Sequence, residues 1–167
     1  IKEIYTTAHE KFEICHGSEI THAMQHILQN LQDRSNGFIE IGSAYGGSFY
    51  CWASIFGGQA ISVDKALSAQ TLKHGVTTPN DRLTVENRNR MWKEFFPGRV
   101  TIVDGYSQQK STIEEVERAL DGRKVDYLFI DGDHSEEVTK EDFDNYSRFV
   151  RPGGMVGFHD IYHALHR

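Results

Sequence analysis

At 167 residues, with 38% hydrophobic and 25% charged residues and a formal net charge of −6, the sequence fits one domain able to bury a substantial core. No apolar run approaches the roughly 18–20 residues that a bilayer-spanning helix needs. The acidic balance argues against a general affinity for nucleic acid, which needs a basic footprint.

In chain order, Ile20, Met24, Ile27, Leu28 and Leu31 recur at helical spacing, so residues 18–32 read as an amphipathic helix within a helical N-terminal segment, 1–36. Residues 38–41 read as a strand, followed by a glycine turn and a helix over 48–56 that Gly57 and Gly58 stop. Residues 60–63 form a second strand ending at Asp64, and the polar stretch 65–80, with Gly75 and Pro79, reads largely as loop. Met91, Trp92, Phe95 and Phe96 give the next helix an apolar face, and Pro97-Gly98 ends it. Around that helix Arg82, Arg88, Arg90, Lys93 and Arg99 alternate with acids and apolar residues and read as a solvated face. A third strand spans 100–103. Ser111-Thr112-Ile113-Glu114 reads as a capping box opening a helix that runs through Leu120.

Residues 125–130 are almost continuously apolar, as expected of a central strand buried on both faces. A helix over 136–149 follows, then a turn at Pro152-Gly153-Gly154 and a fifth strand over 155–158. Alternating strands and helices with right-handed crossovers predict an α/β, Rossmann-like, doubly wound and mainly parallel sheet ending after strand five. Residues 37–161 would form its ligand-binding core.

The two cysteines, Cys15 and Cys51, make no metal or disulfide pattern, and Cys51 reads as a small core residue. With no secretory signal at the start, the expectation is a reduced, cytoplasmic setting.

Two constellations carry chemistry. In the first, FIEIGSAYGGS puts Gly42, Gly46 and Gly47 between a strand and a helix, where glycine permits a tight turn and the helix amides favour anionic groups. Asp64, ending the next strand, suits the two hydroxyls of a ribose. The spacing G-x-x-x-G-G departs from G-x-G-x-x-G, which favours a nucleoside without a pyrophosphate over NAD. In the second, Asp131 ends strand four and His159-Asp160 ends strand five. Neighbouring strands lie about 4.8 Å apart, so these tips can converge on one ion.

EIGSAYGGS resembles motif I of class I S-adenosylmethionine-dependent methyltransferases, and RPGG before the fifth strand resembles their helix-to-strand turn. That resemblance implies that Glu40 and the turn residues Gly42, Ser43, Gly46, Gly47 and Ser48 face the methionine part of the cofactor. It also implies that Asp64 holds the ribose, that Asp104 and Ser107 border the adenine, and that Asp131 lies close by. FIDGDHSEEVTKEDFDNYSRFVRPGGMVGFHDI is similar to small metal-dependent O-methyltransferases, including sugar-modifying and cephalosporin hydroxylase-like members. The similarity implies Asp131, His159 and Asp160 as ligands of Mg²⁺ or another divalent metal, and His134 as general base toward a small-molecule hydroxyl such as that of a sugar or phenol. His159 departs from the pattern: magnesium prefers oxygen, so an imidazole admits a softer metal or stands outside the ligand set. Asp133 reads as support for its loop. His22, His26, His74, His163 and His166 carry no assigned role.

The rival readings are a metal-dependent glycosyltransferase using Asp131-Gly132-Asp133 as a D-x-D site, an NAD-dependent oxidoreductase, and a non-catalytic cofactor-fold interaction module.

Overall fold

The structure is a computed structural model that describes residues 1–12, 14, 16–65 and 84–160. Cys15, His74, Arg82, His163, His166 and most of the expected 65–80 loop lie outside the described residues.

The helices are α1 (Lys2–Lys11), α2 (Glu19–Asn30), α3 (Gly47–Ile55), α4 (Val85–Phe95), α5 (Lys110–Leu120) and α6 (Glu136–Tyr146). The strands are β1 (Gly37–Ile41), β2 (Gln59–Asp64), β3 (Val100–Asp104), β4 (Val125–Ile130) and β5 (Val150–Phe158). All five pair in parallel in the order β3-β2-β1-β4-β5, which is the expected Rossmann-like sheet. Among the described residues no helix is long and apolar enough to cross a membrane.

Strand side chains alternate between two cores. Phe38, Ala60, Tyr127 and Phe129 pack with Phe12, Met24, Phe49, Trp52 and Trp92 on one face. Ile39, Ile41, Ile61, Val63, Leu128 and Ile130 pack with Val116, Leu120, Tyr146 and Phe149 on the other. Period-two alternation therefore puts Glu40 on the α3 face with Phe38. Cys51 is buried in the first core, where burial pushes its thiol up to about 12, in keeping with a packing role.

The sheet order reverses between β1 and β4, and such a switch point opens a crevice at the C-terminal strand ends. There the ladder extends one residue beyond the strands. The Gly42 N–H donates to Val63 O at 2.9 Å, Asp131 N–H to Ile41 O at 2.9 Å, and His159 N–H to Ile130 O at 3.0 Å. Backbone bonding thus fixes the roots of the site residues before any ligand arrives.

Three local expectations need correction. The capping box does not form: α5 starts at Lys110 behind Gln109, with no side-chain cap, and Ser111 lies inside the helix. The turn that leads in, with Gln109 N–H donating to Tyr106 O at 3.0 Å, starts the helix earlier. Likewise β5 starts at Val150, taking in the expected turn at Pro152-Gly153-Gly154. A register shift between Val125 and Tyr127 accommodates it, and Arg151 Nε donates to the buried Asp126 carboxylate at 2.5 Å, tying this segment to β4. Finally, α6 ends at Tyr146 and residues 147–149 continue as a 3₁₀ turn.

Candidate functional site

Gly42 (φ 85°) and Gly46 (φ 91°) adopt left-handed backbone, where a side chain is strained. A Cβ on Gly42 would lie 2.1 Å from Asp131 O, and one on Gly46 would lie 2.4 Å from the Trp92 ring. The protein's own packing therefore already requires glycine at both positions. Trp92 Nε1 donates to Gly46 O at 3.3 Å, fastening α4 across the turn.

Asp64 sits at the tip of β2. Its Oδ2 accepts the Ala44 N–H at 2.7 Å and faces Arg88 Nη1 at 3.4 Å, while Arg88 also donates to Ala44 O. Arg88 is only 2% exposed and lies over the Trp92 ring, which corrects its assignment to a solvated face. Burial raises the Asp64 pKa, with Arg88 pulling the other way, and burial lowers that of Arg88, with Asp64 opposing. Of the other expected surface cations, Arg90 is exposed and pairs with Glu94 at 2.9 Å, and Arg99 caps the end of α3 by donating to Phe56 O.

Beneath the turn, Glu40 is fully buried, and neither carboxyl oxygen has a partner in hydrogen-bonding geometry. Burial pushes its pKa up to about 8, against the lowering influence of the Ser48 and Ser43 hydroxyls. Unfolded, this carboxyl ionises near its ordinary value of 4.5; folded, it keeps its proton to about 8. Between these limits the native state holds a proton that the unfolded chain releases, so its contribution to stability falls as pH rises through that window. Glu40→Gln should flatten this fall, as read from urea midpoints taken at the two ends of the window. An unchanged slope would mean that Glu40 is ionised in the fold.

Two cavities share Gly42, Ala44 and Asp131. One, of about 470 Å³, runs from Asp64 and Lys65 past Gly105, Tyr106 and Ser107 to Asp133. The other, of about 320 Å³, is lined by the turn from Gly42 to Ser48 and by His16, Asp131, His134, His159 and Asp160. The expected turn residues Ser43, Gly46, Gly47 and Ser48 are thus on a wall. Ser107 lines the larger cavity; Asp104, exposed at the end of β3, is not among its lining residues, and Glu40 lines neither cavity.

Asp131, 10% exposed, is the hub of the smaller cavity. Its Oδ1 lies 2.8 Å from His159 Nδ1 and 3.3 Å from His134 Nε2, and its Oδ2 lies 2.9 Å from His16 Nε2. Asp160, in left-handed backbone at φ 50°, faces His159 Nε2 at 3.5 Å and His134 Nδ1 at 3.7 Å. Among the described residues, two sets of three donors gather with their ligand atoms within 4.8 Å: His16, Asp131, His159 and His134, His159, Asp160. The expected ligands are divided between these sets, with His159 common to both. Such imidazole-rich sets fit a divalent ion that accepts nitrogen better than magnesium, which favours oxygen. Asp133 accepts the Ser135 N–H at 2.8 Å, a contact within its own loop, and belongs to neither set.

Sequence reasoning missed His16 and the part played by Arg88. His16 lies before the glycine turn in a loop without a motif, and only the tertiary fold carries it to the edge of β4.

A family model described as a methyltransferase domain matches residues 39–161. Among solved structures, the chain is similar to the MycE methyltransferase of the mycinamycin biosynthetic pathway, in complex with Mg, SAH and mycinamycin VI (19% identity, TM-score 0.61, 96% of this chain and 38% of that one). It is also similar to a proposed caffeoyl-CoA O-methyltransferase from Staphylococcus aureus (18%, TM-score 0.60, 93% of this chain and 63% of that one). An O-methyltransferase from Bacillus cereus in complex with SAH gives 15% identity and a TM-score of 0.57, covering 93% of this chain and 63% of that one. At such identities the likeness is one of fold, and the chain spans less than two thirds of each of these neighbours.

Proposed function

Because the chain belongs to the methyltransferase-domain family, we propose that it transfers the methyl group of S-adenosylmethionine to a hydroxyl of a small molecule such as a sugar or phenol. One observation carries the proposal: the acid ending β2 and the Asp131–His134–His159–Asp160 cluster open onto adjoining cavities that share Gly42, Ala44 and Asp131. A nucleoside held at Asp64 would extend its other end toward the cluster.

When bound, S-adenosylmethionine supplies a methyl group on a sulfonium, a leaving group that departs with the bonding electron pair. Asp64 holds the ribose hydroxyls, with Oδ2 already fixed by Ala44 and Arg88 and Oδ1 left for the ligand. Tyr106 and Ser107 border the adenine. No side chain caps α3 at Gly46, so its first amides, beside Ser43, Gly47 and Ser48, suit the methionine carboxylate. His134, half-exposed on the cavity wall, takes the proton that the acceptor oxygen gives up. A divalent ion held at Asp131 and His159, with Asp160 beside it, would lower the acceptor's pKa and orient it.

The cofactor half of this reading is tested by calorimetric titration with S-adenosylhomocysteine and NAD. The neighbours MycE and the Bacillus cereus enzyme were solved with SAH, which supports that choice of ligand.

A further inference from the structure

We propose that His16 is a metal ligand, joining Asp131 and His159 in a two-imidazole, one-carboxylate site that takes a nitrogen-accepting divalent ion of the zinc class in preference to magnesium. It shares Asp131 and His159 with the function proposed above but does not depend on the cofactor. His16 lies outside the stretch matched by the family model, residues 39–161, so the family motifs do not reach it.

His16 is 7% exposed, and both of its ring nitrogens are buried without a hydrogen-bond partner. Buried imidazole nitrogens are costly to leave unsatisfied. The proximity to Asp131 does not resolve this. His16 Nε2 is 2.9 Å from Asp131 Oδ2, yet it makes no hydrogen bond, and His159 Nδ1, 2.8 Å from Oδ1, is likewise unpartnered. The distances suit a hydrogen bond, yet neither pair meets its directional requirement. Donors arranged around a shared ion, rather than around one another, have this geometry.

The rings of His16 and His159 are 4.3 Å apart and nearly perpendicular, and the three donor atoms lie within 4.8 Å of one another. The backbone at His16 is held by Tyr5 Oη donating to His16 O at 3.2 Å, and the next residue by Gly17 N–H donating to Glu19 Oε1 at 2.6 Å. Two imidazoles and one carboxylate suit zinc or its spectroscopic substitute cobalt, whereas magnesium demands oxygen and keeps its waters.

The test is titration of the purified chain with cobalt(II) alone, followed by visible absorption. The expected result is a saturable ligand-field band that zinc abolishes and a large excess of magnesium leaves in place. His16→Ala should weaken cobalt binding by at least about tenfold, the smallest loss typical even of residues that only support a metal site. His16→Cys should add a thiolate-to-cobalt charge-transfer band, which a merely structural residue could not produce. Equal cobalt affinity in wild type and His16→Ala, absence of the new band in His16→Cys, or ready displacement of cobalt by magnesium would each overturn the proposal. Titration of every variant with S-adenosylhomocysteine keeps the two ideas apart. A chain that binds the nucleoside but not cobalt refutes the metal site alone, and one that binds cobalt but not the nucleoside refutes the methyltransferase reading alone.

Discussion

Replacing His134 with alanine should lower methyl transfer by at least about 100-fold while leaving S-adenosylhomocysteine affinity nearly unchanged, since a positioned general base contributes about 10²–10⁴ in rate. The ring is well placed for that work. It is 38% exposed on the wall of the smaller cavity, with one nitrogen 3.3 Å from Asp131 and the other 3.7 Å from Asp160. The nearer carboxylate, Asp131, orients the imidazole, whose exposure would let a substrate oxygen reach it. It also stands outside both hydrophobic cores, so its removal should leave thermal unfolding close to wild type. Steady-state kinetics with a methyl acceptor, alongside calorimetry on the same preparation, checks both halves. If the variant kept most of its turnover, His134 would be only the loop residue that leads into α6, and proton removal would fall to solvent.

Asp64→Asn should show two separable losses. Asp64 and Arg88 form a nearly buried pair, 13% and 2% exposed, in which each charge loses more to burial than its partner returns. Such a pair adds little net stability, but removing one partner strands the other charge, typically at about 3–5 kcal/mol. Asp64→Asn should therefore lower unfolding stability on that scale. It should also weaken S-adenosylhomocysteine by about 1.5–3 kcal/mol, the worth of charge-assisted hydrogen bonds. The double variant Asp64→Asn/Arg88→Met separates the two, because methionine removes the stranded charge and keeps apolar contact with Trp92. Stability should return toward wild type while nucleoside affinity stays low. If affinity recovered together with stability, Asp64 would serve only to support the turn.

The order of elements was legible because burial writes itself into sequence period. Val125–Ile130 matched its strand in full since a strand covered on both faces must be apolar along most of its length, even with Asp126 inside it. Asp126 itself is tolerated because Asn36 Nδ2 and Arg151 Nε both donate to its Oδ1, and that same Arg151 contact draws β5 back to Val150 against the local signals of Pro152 and Gly153. Helix α1 was harder to see: only Ala8 is buried among its ten residues, and no side chain caps its start. The strand-tip acids could be read because chain order alone puts them at one edge. His16 and Arg88 could not, since an imidazole in a loop and an arginine among other cations look like solvated residues until α4 and the N-terminal loop close over the glycine turn.

The central claim, that the crevice beside Gly42 and Asp64 is a nucleoside site of the methyltransferase kind, is tested most directly by titrating the purified chain with S-adenosylhomocysteine and with NAD in the same calorimeter. One saturable site with micromolar affinity for S-adenosylhomocysteine, and no measurable heat with NAD, is the result expected from the glycine spacing and the single ribose-facing acid. Tighter binding of NAD than of S-adenosylhomocysteine would contradict it.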